Sequence, residues 1–168
     1  MGDGVASVQG VDGRHFRNVM GRFATGVVAI TAVEPESGVA TGLTANSFTS
    51  VSLDPPLVAF CVAHTSTTWP LLRRSRRHCV NILGERQRDV CVQLAAKGVD
   101  KFRGLGWSAS PSGTPMLDGA LAWIECAIEA EHPAGDHTIV VARVHHLDHN
   151  HDGGPLVFFR GDYGRFDD

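Results

Sequence analysis

The run TGLTANSFTSVSLDPP, residues 41–56, decides how this chain is read. Eight of its sixteen residues carry short polar side chains (Thr41, Thr44, Asn46, Ser47, Thr49, Ser50, Ser52 and Asp54), yet the flanking segments VVAITAV and LVAFCVA are almost purely apolar. A polar run between two buried strands must place its hydrogen-bonding groups, since each one left unpaired in the interior costs roughly 1–3 kcal/mol. Two placements satisfy it: a wide surface turn, or one wall of a site for a polar ligand. Asp54, Pro55 and Pro56 then end any central ladder, because proline lacks the N–H and restricts its predecessor.

Working outward, the β-branched run 27–33, the turn EPESG and a returning strand over 39–48 predict a hairpin with the polar stretch at its far end, and 57–63 starts a third, fully apolar strand. Upstream, Asp12 caps a helix in which Phe16, Val19, Met20 and Phe23 recur at the spacing of one apolar face, with Gly26 ending it. Residues 1–13 read as a flexible tail and 14–168 as a single domain. Downstream, HTSTTWPLLRRSR predicts a short helix with Pro70 in its first turn and hydroxyls just ahead of it. Such hydroxyls cap orphaned N–H groups, and the N–H groups of a helix start attract anions.

Residues 78–83 form a fourth strand and 85–97 a helix with Val90, Cys91, Leu94 and Ala95 as its buried stripe and Gly98 at its C-terminal cap. A Gly, Ser and Pro rich loop of functional length covers 99–117. From 120 to 147 the pattern is strongly β: Ala122, Ile124, Cys126, Ile128 and Ala130 alternate with Trp123, Glu125, Glu129 and Glu131, which predicts one wet and one dry face. HPAGDH turns the chain, and 155–160 is the last strand. The expected fold is mainly β with marginal helices, its antiparallel sheet closing into a small barrel that removes exposed edges.

A chain of 168 residues with a 43% hydrophobic and 20% charged composition can build its own core, and no apolar run approaches the length of a membrane helix. These features predict a soluble protein, and no export signal opens the N-terminus, so it is expected in the cytoplasm. A net charge of −3 argues against a nucleic-acid partner. The local exception, Arg73, Arg74, Arg76 and Arg77, reads as the solvated face of a short helix or as a landing place for phosphate. Cys61, Cys79, Cys91 and Cys126 lack CxxC spacing and are expected to be reduced and structural.

No GxGxxG or GxxxxGK[ST] motif occurs, which removes the Rossmann and P-loop folds, and although Ser, His and Asp are all present no GxSxG elbow supports a hydrolase triad. HHLDHNHD at 145–152 is dense in imidazole and carboxylate, but its spacing matches no metal-ligand pair and it reads as a solvated strand end, so no metal is expected. What remains is the polar stretch, the hydroxyls of 64–68, the loop 101–107 and the GDH turn at 135–137. Together these suit a planar cofactor with a phosphate tail, edged by short side chains and backbone N–H groups. Hydride transfer between nicotinamide and flavin needs little acid–base help from the protein, which fits a site poor in carboxylates.

The order FATGVVAITA, GLTANSFTSVSLDPPLV, HCVNIL, KF, GDH and PLVFFRGDYGRF resembles the short-chain flavin reductases, the reductase components of two-component flavin-dependent monooxygenases, over about residues 16–166. The resemblance implies an antiparallel flavin-binding split β-barrel of Greek-key type, a homodimer, FAD or FMN with NADH or NADPH (NADH favoured), and a separate monooxygenase that receives reduced flavin. It also implies that Thr44, Ala45, Asn46 and Ser47 line the isoalloxazine with Ser50 and Ser52 nearby, and that Ala63, His64, Thr65, Ser66 and Thr67 hold the ribityl phosphate. Phe102 and Arg103 would approach from the side or from a partner subunit, His137 would sit beside the nicotinamide, and Tyr163 at the rim. The same barrel also serves electron carriers that retain flavin and non-catalytic binding modules, so fold alone leaves the activity open.

Overall fold

The computed structural model describes residues 10–98, 100–150 and 153–167. Helix α1 (Gly13–Met20) opens with Asp12 accepting the Arg14 N–H at 3.1 Å, which satisfies one of the donors a first turn leaves orphaned. It ends at Gly21 rather than Gly26, and its apolar stripe stays bare: Phe16, Val19, Met20 and Phe23 are 49–70% exposed. The chain continues through β1 (Thr25–Gly26), β2 (Val28–Val33), β3 (Ala40–Ala45), β4 (Thr49–Leu53), β5 (Pro56–Ala63), α2 (Trp69–Leu72) and β6 (His78–Ile82). A 3-10 turn (Glu85–Gln87) leads into α3 (Arg88–Ala95), followed by β7 (Trp107–Ala109), β8 (Pro115–Leu117), β9 (Ala122–Ala134), β10 (His137–His149), β11 (Leu156–Phe159) and β12 (Asp162–Arg165).

Seven strands form one antiparallel sheet in the order β3-β2-β6-β9-β10-β5-β4. Three strands separate β2 from β5 in that order, yet Ile30 and Phe60 share one core with Val62, Val80, Cys126 and Val140, so the sheet curls around its inner face. Trp69 and Leu72 of α2 pack into the same core. A second core on the outer face joins Ala29 of β2 to Cys91 and Leu94 of α3, Phe102, Leu117 and Leu156. Burial on both faces is why VVAITAV reads as a continuous apolar run. No ladder joins the edges β3 and β4 among the described residues, and the turn 46–48 crosses that seam.

Four further expectations change. The stretch 39–48 is not one strand: β3 stops at Ala45 and a separate β4 follows, with Asp54 and Pro55 as the turn into β5. The loop expected over 99–117 carries the β7–β8 hairpin. Helix α3 ends at Ala95, and the left-handed residue after it is Gly98 (φ +90°). Glu125 is not on a wet face but fully buried. It accepts hydrogen bonds from the Ser110 hydroxyl, the Ser112 N–H (3.0 Å) and the Ser112 hydroxyl (2.7 Å), with Arg77 Nε at 3.8 Å.

The hairpin is held from the other side as well. Asn81 Oδ1 accepts the Leu117 N–H at 2.8 Å, Asn81 Nδ2 donates to Thr31 Oγ1 at 3.1 Å, and that hydroxyl donates to the Pro115 carbonyl at 2.6 Å. The four cysteines are free thiols, and burial pushes Cys79 and Cys126 up to about 12, which keeps them unreactive. Of the His-rich stretch, His151 and Asp152 lie outside the described residues, as do residues 1–9 of the expected tail. Among the described residues no His, Cys, Asp and Glu group is arranged to hold a metal.

Candidate functional site

A cleft of about 380 Å³ lies over the seam. One wall comes from the end of β3 and the turn after it, with Leu43, Thr44, Ala45, Asn46 and Ser47; the floor comes from Cys61, Val62 and Ala63 at the end of β5. The segment before α2 adds Thr65, Ser66, Thr67 and Thr68, and His137 stands at the start of β10. The facing wall is the C-terminal end of α3 (Leu94, Ala95, Ala96 and Lys97) with Lys101. No Asp or Glu lines the cleft among the described residues.

Each part has a local cause. Ser47 Oγ accepts the Cys61 N–H at 2.9 Å and lies 3.3 Å from the Cys61 carbonyl, so one side chain continues the β4–β5 ladder beyond the Thr49↔Ala59 pair. That clamp ties the turn between β3 and β4 to the end of β5. Gly135 takes φ +65° in the two-residue turn between β9 and β10, a conformation glycine supplies at little cost, and this turn brings His137 opposite Ala63. The ring is oriented by Asp136 Oδ1, 2.7 Å from His137 Nδ1, and the hydrogen bond from His137 holds the Asp136 carboxyl below its usual value.

The cleft is cationic because the helix end facing it has been neutralised. The last carbonyls of α3 have no partner within the helix, and Lys101 Nζ donates to the Leu94 carbonyl at 2.8 Å and to the Gly42 carbonyl of β3 at 3.3 Å. Burial pulls the Lys101 ammonium below its ordinary pKa. At α2 the hydroxyls ahead of the helix serve the first of the two uses read from the sequence, capping its N–H groups. Ser66 Oγ takes the Trp69 N–H at 3.1 Å, Pro70 has none, and the Leu71 and Leu72 N–H groups both donate to the Thr68 carbonyl. Anion contacts in this segment therefore fall to hydroxyls and to the loop rather than to the helix start.

Nine of the fifteen residues singled out in the sequence meet in the cleft: Thr44, Ala45, Asn46, Ser47, Ala63, Thr65, Ser66, Thr67 and His137. Tyr163 opens on a side cavity of about 210 Å³ that shares Thr44, Ala45 and Asn46, and hydrogen bonding to Cys91 with burial pushes its hydroxyl up to about 12. The remaining five stand outside the cleft. Ser50 and Ser52 lie on β4, paired with Val58 and Leu57. His64 Nε2 lies 3.1 Å from the Thr138 hydroxyl. Phe102 is a core residue, edge-on to Trp107, and Arg103 is exposed with its carbonyl accepting from Gln93. Lys97 and the end of α3 were not read as site residues, and Lys101 only as the start of the loop 101–107; their return across β3 places them in the cleft.

The family described as flavin reductase like domain matches residues 20–167. The reductase subunit HsaB of a flavin-dependent monooxygenase from Rhodococcus jostii (strain RHA1) is 43% identical over 162 residues, covering 96% of this chain and 82% of that protein. The FMN reductase (NADH) SmoA of Agrobacterium fabrum (strain C58) is 41% identical over 157 residues, 94% of this chain and 88% of that one. The crystal structure of a nitrilotriacetate monooxygenase component B homologue from Mycobacterium thermoresistibile superposes with a TM-score of 0.87 at 42% identity, covering 92% and 86%. With a match this long over the strands, the seam and the GDH turn, the chain belongs to the flavin reductase like domain family.

Proposed function

We propose that this protein is an NADH:flavin oxidoreductase that reduces free FAD or FMN and passes the reduced flavin to a separate monooxygenase. The observation that carries the proposal is the cleft itself: small side chains on a flat strand end, a row of hydroxyls, two lysines and no lining carboxylate. This donor set fits a flavin. Ala45 and Ala63 leave room for a ring system, the hydroxyls of Thr65 and Thr67 with Lys97 suit its phosphate, and neutral Asn46 suits ring-edge polar atoms. When bound, the flavin supplies the hydride acceptor and the nicotinamide the donor. The curled sheet, open between β3 and β4, is taken as the split β-barrel of Greek-key type.

In the tautomer that donates Nδ1–H to the Asp136 carboxylate, His137 presents Nε2 as an acceptor for a nicotinamide carboxamide N–H. NADH is favoured over NADPH because three of the cluster's arginines are committed elsewhere: Arg73 to Glu131 (2.8 Å), Arg74 to Glu36 (3.2 Å) and Arg77 to Glu125. A homodimer is proposed on the strength of the bare stripe of α1, with Phe159 and Phe166 also exposed, since exposed apolar surface marks interaction sites. Phe16→Glu with Phe23→Glu is expected to halve the mass in sedimentation equilibrium; an unchanged mass removes α1 from the interface. Among the described residues no helix is long and apolar enough to cross a membrane, and a cytoplasmic place is proposed with it.

Reduced-nicotinamide absorbance, followed with and without added FAD or FMN, tests the function. Oxidation that requires added flavin is the expected result. A protein that purifies yellow and turns over without added flavin is a carrier, and no oxidation under any condition defeats the proposal. His137→Ala is expected to raise the Michaelis constant for NADH or cut turnover at least several-fold while leaving flavin affinity in place; unchanged kinetics remove its role.

A further inference from the structure

Between the end of α3 and the β7–β8 hairpin the chain makes a tight turn, 100–104, that brings Lys101 to the cleft. Glycines bracket it: Gly98 at φ +90° and Gly104 at φ +74°, each with open space where a Cβ would stand. Left-handed residues without side chains give the segment between them nothing to lean on at either end. Bonds within the turn run from the Phe102 N–H to Asp100 Oδ1 (3.2 Å) and from the Leu105 N–H to the Phe102 carbonyl (3.0 Å). They set its shape but not its place on the protein.

Two side chains tie the turn to α3. Phe102 enters the outer core with Cys91 and Leu94, which fixes one point. Gln93, on the same helix, donates from Nε2 to the Lys101 carbonyl at 2.9 Å and to the Arg103 carbonyl at 2.8 Å. Those two carbonyls flank Phe102, so the amide fixes how the turn is rotated about its apolar anchor. Rotation matters because Lys101 has to bring one ammonium to two acceptors on different elements, the Leu94 carbonyl of α3 (2.8 Å) and the Gly42 carbonyl of β3 (3.3 Å). Gln93 itself lines no part of the cleft.

We infer that Gln93 is a positioning residue for flavin binding: acting through the backbone of the 100–104 turn, its side-chain amide holds the Lys101 ammonium where it meets the phosphate of the flavin. The inference rests on the proposed flavin site, which supplies the anion. Gln93 contributes no charge and no contact to the ligand, so its whole effect passes through Lys101 and is confined to flavins that carry a phosphate.

The test is a set of dissociation constants for FMN and for riboflavin, from titration of flavin fluorescence, in the full-length wild type, Gln93→Met, Lys101→Met and the double variant. Methionine keeps the length of the side chain and suits a helix while removing both donors. Gln93→Met is expected to weaken FMN about fivefold, as loss of one or two neutral hydrogen bonds predicts, and to leave riboflavin within about twofold of wild type. In the Lys101→Met background the same substitution is expected to change neither ligand, because two residues that act through one ammonium are not additive. Riboflavin affinity also reports whether each variant keeps its cleft. An FMN affinity untouched by Gln93→Met, an equal loss for riboflavin, or a loss that persists once Lys101 is methionine overturns the inference. Wild-type protein that binds FMN no more tightly than riboflavin overturns it while leaving the proposed function standing. If neither flavin binds, the proposed function falls and this inference with it.

Discussion

Glu125→Ala is expected to lower the unfolding free energy by about 3 kcal/mol at neutral pH, within the range for removing a buried charged partner and leaving hydrogen-bond donors unsatisfied. In a chain of this size that corresponds to a fall in Tm of roughly 6–12 °C. The loss is large because one carboxylate holds the Ser110 hydroxyl, the Ser112 N–H and hydroxyl, and faces Arg77, all beneath the β7–β8 hairpin. Burial raises the Glu125 pKa, but the hydrogen bonds from Ser110 and Ser112 outweigh it and leave the value lowered. A depressed carboxyl stabilises the fold above its unfolded pKa, about 4.3, and that contribution disappears as pH falls through the lower folded value. The Tm gap between wild type and Glu125→Ala is therefore widest at neutral pH and narrows in acid below about pH 4. A gap that is absent at pH 7, or that does not narrow in acid, contradicts this account; Glu125→Gln, which keeps an acceptor without the charge, is expected to fall between the two.

Lys101→Met is expected to weaken the binding of a phosphate-bearing flavin by tenfold or more, since charge-assisted hydrogen bonds are worth about 1.5–3 kcal/mol. The stem is preserved in length and the ammonium is lost. Two effects add: a positive charge leaves the cleft, and the Leu94 carbonyl at the end of α3 is exposed to the anion it was shielding. The Gly42 carbonyl loses the same donor, so the spacing between β3 and α3 also loosens. Because burial lowers the Lys101 pKa, flavin affinity in the wild type weakens with rising pH earlier than an ordinary lysine allows, and the variant lacks that limb. Riboflavin, which has no phosphate, provides the contrast: its affinity changes less than that of FMN. An equal loss for both ligands assigns Lys101 to packing alone.

Strands buried on both faces were readable from the chain because burial writes itself as an unbroken apolar run. VVAITAV at β2, LVAFCVA at β5 and HCVNI at β6 are of this kind. Strand β4 was not, since it is a mostly exposed edge whose short alternation, Ser50-Val51-Ser52-Leu53, leaves the apolar members outside the core, with Val51 and Leu53 exposed. The short β7 and β8 were hidden for a related reason: they exist by covering Thr31, Asn81 and Glu125, polar residues whose burial no local pattern announces. Glu125 itself sits at a position where alternation predicts water, and only the hairpin above it removes the water.

The sequence by itself determined that this is a mainly β protein whose polar run 41–56 lies near a row of hydroxyls and a GDH turn, because residue type and local spacing already restrict backbone pairing and hydrogen-bond capacity. Tertiary structure decided what that run is for. Curling of the sheet brings the ends of β3, β5 and β10 to one seam, and the return of α3 and Lys101 over β3 turns the seam into a cationic cleft. Ser47 shows the division at a single residue: its hydroxyl was legible as a polar group in need of a partner, but the partner, the Cys61 backbone, lies 14 residues away across a gap that only the folded sheet creates. Contacts between residues far apart in the chain depend on the shape of the whole sheet, which no local window contains.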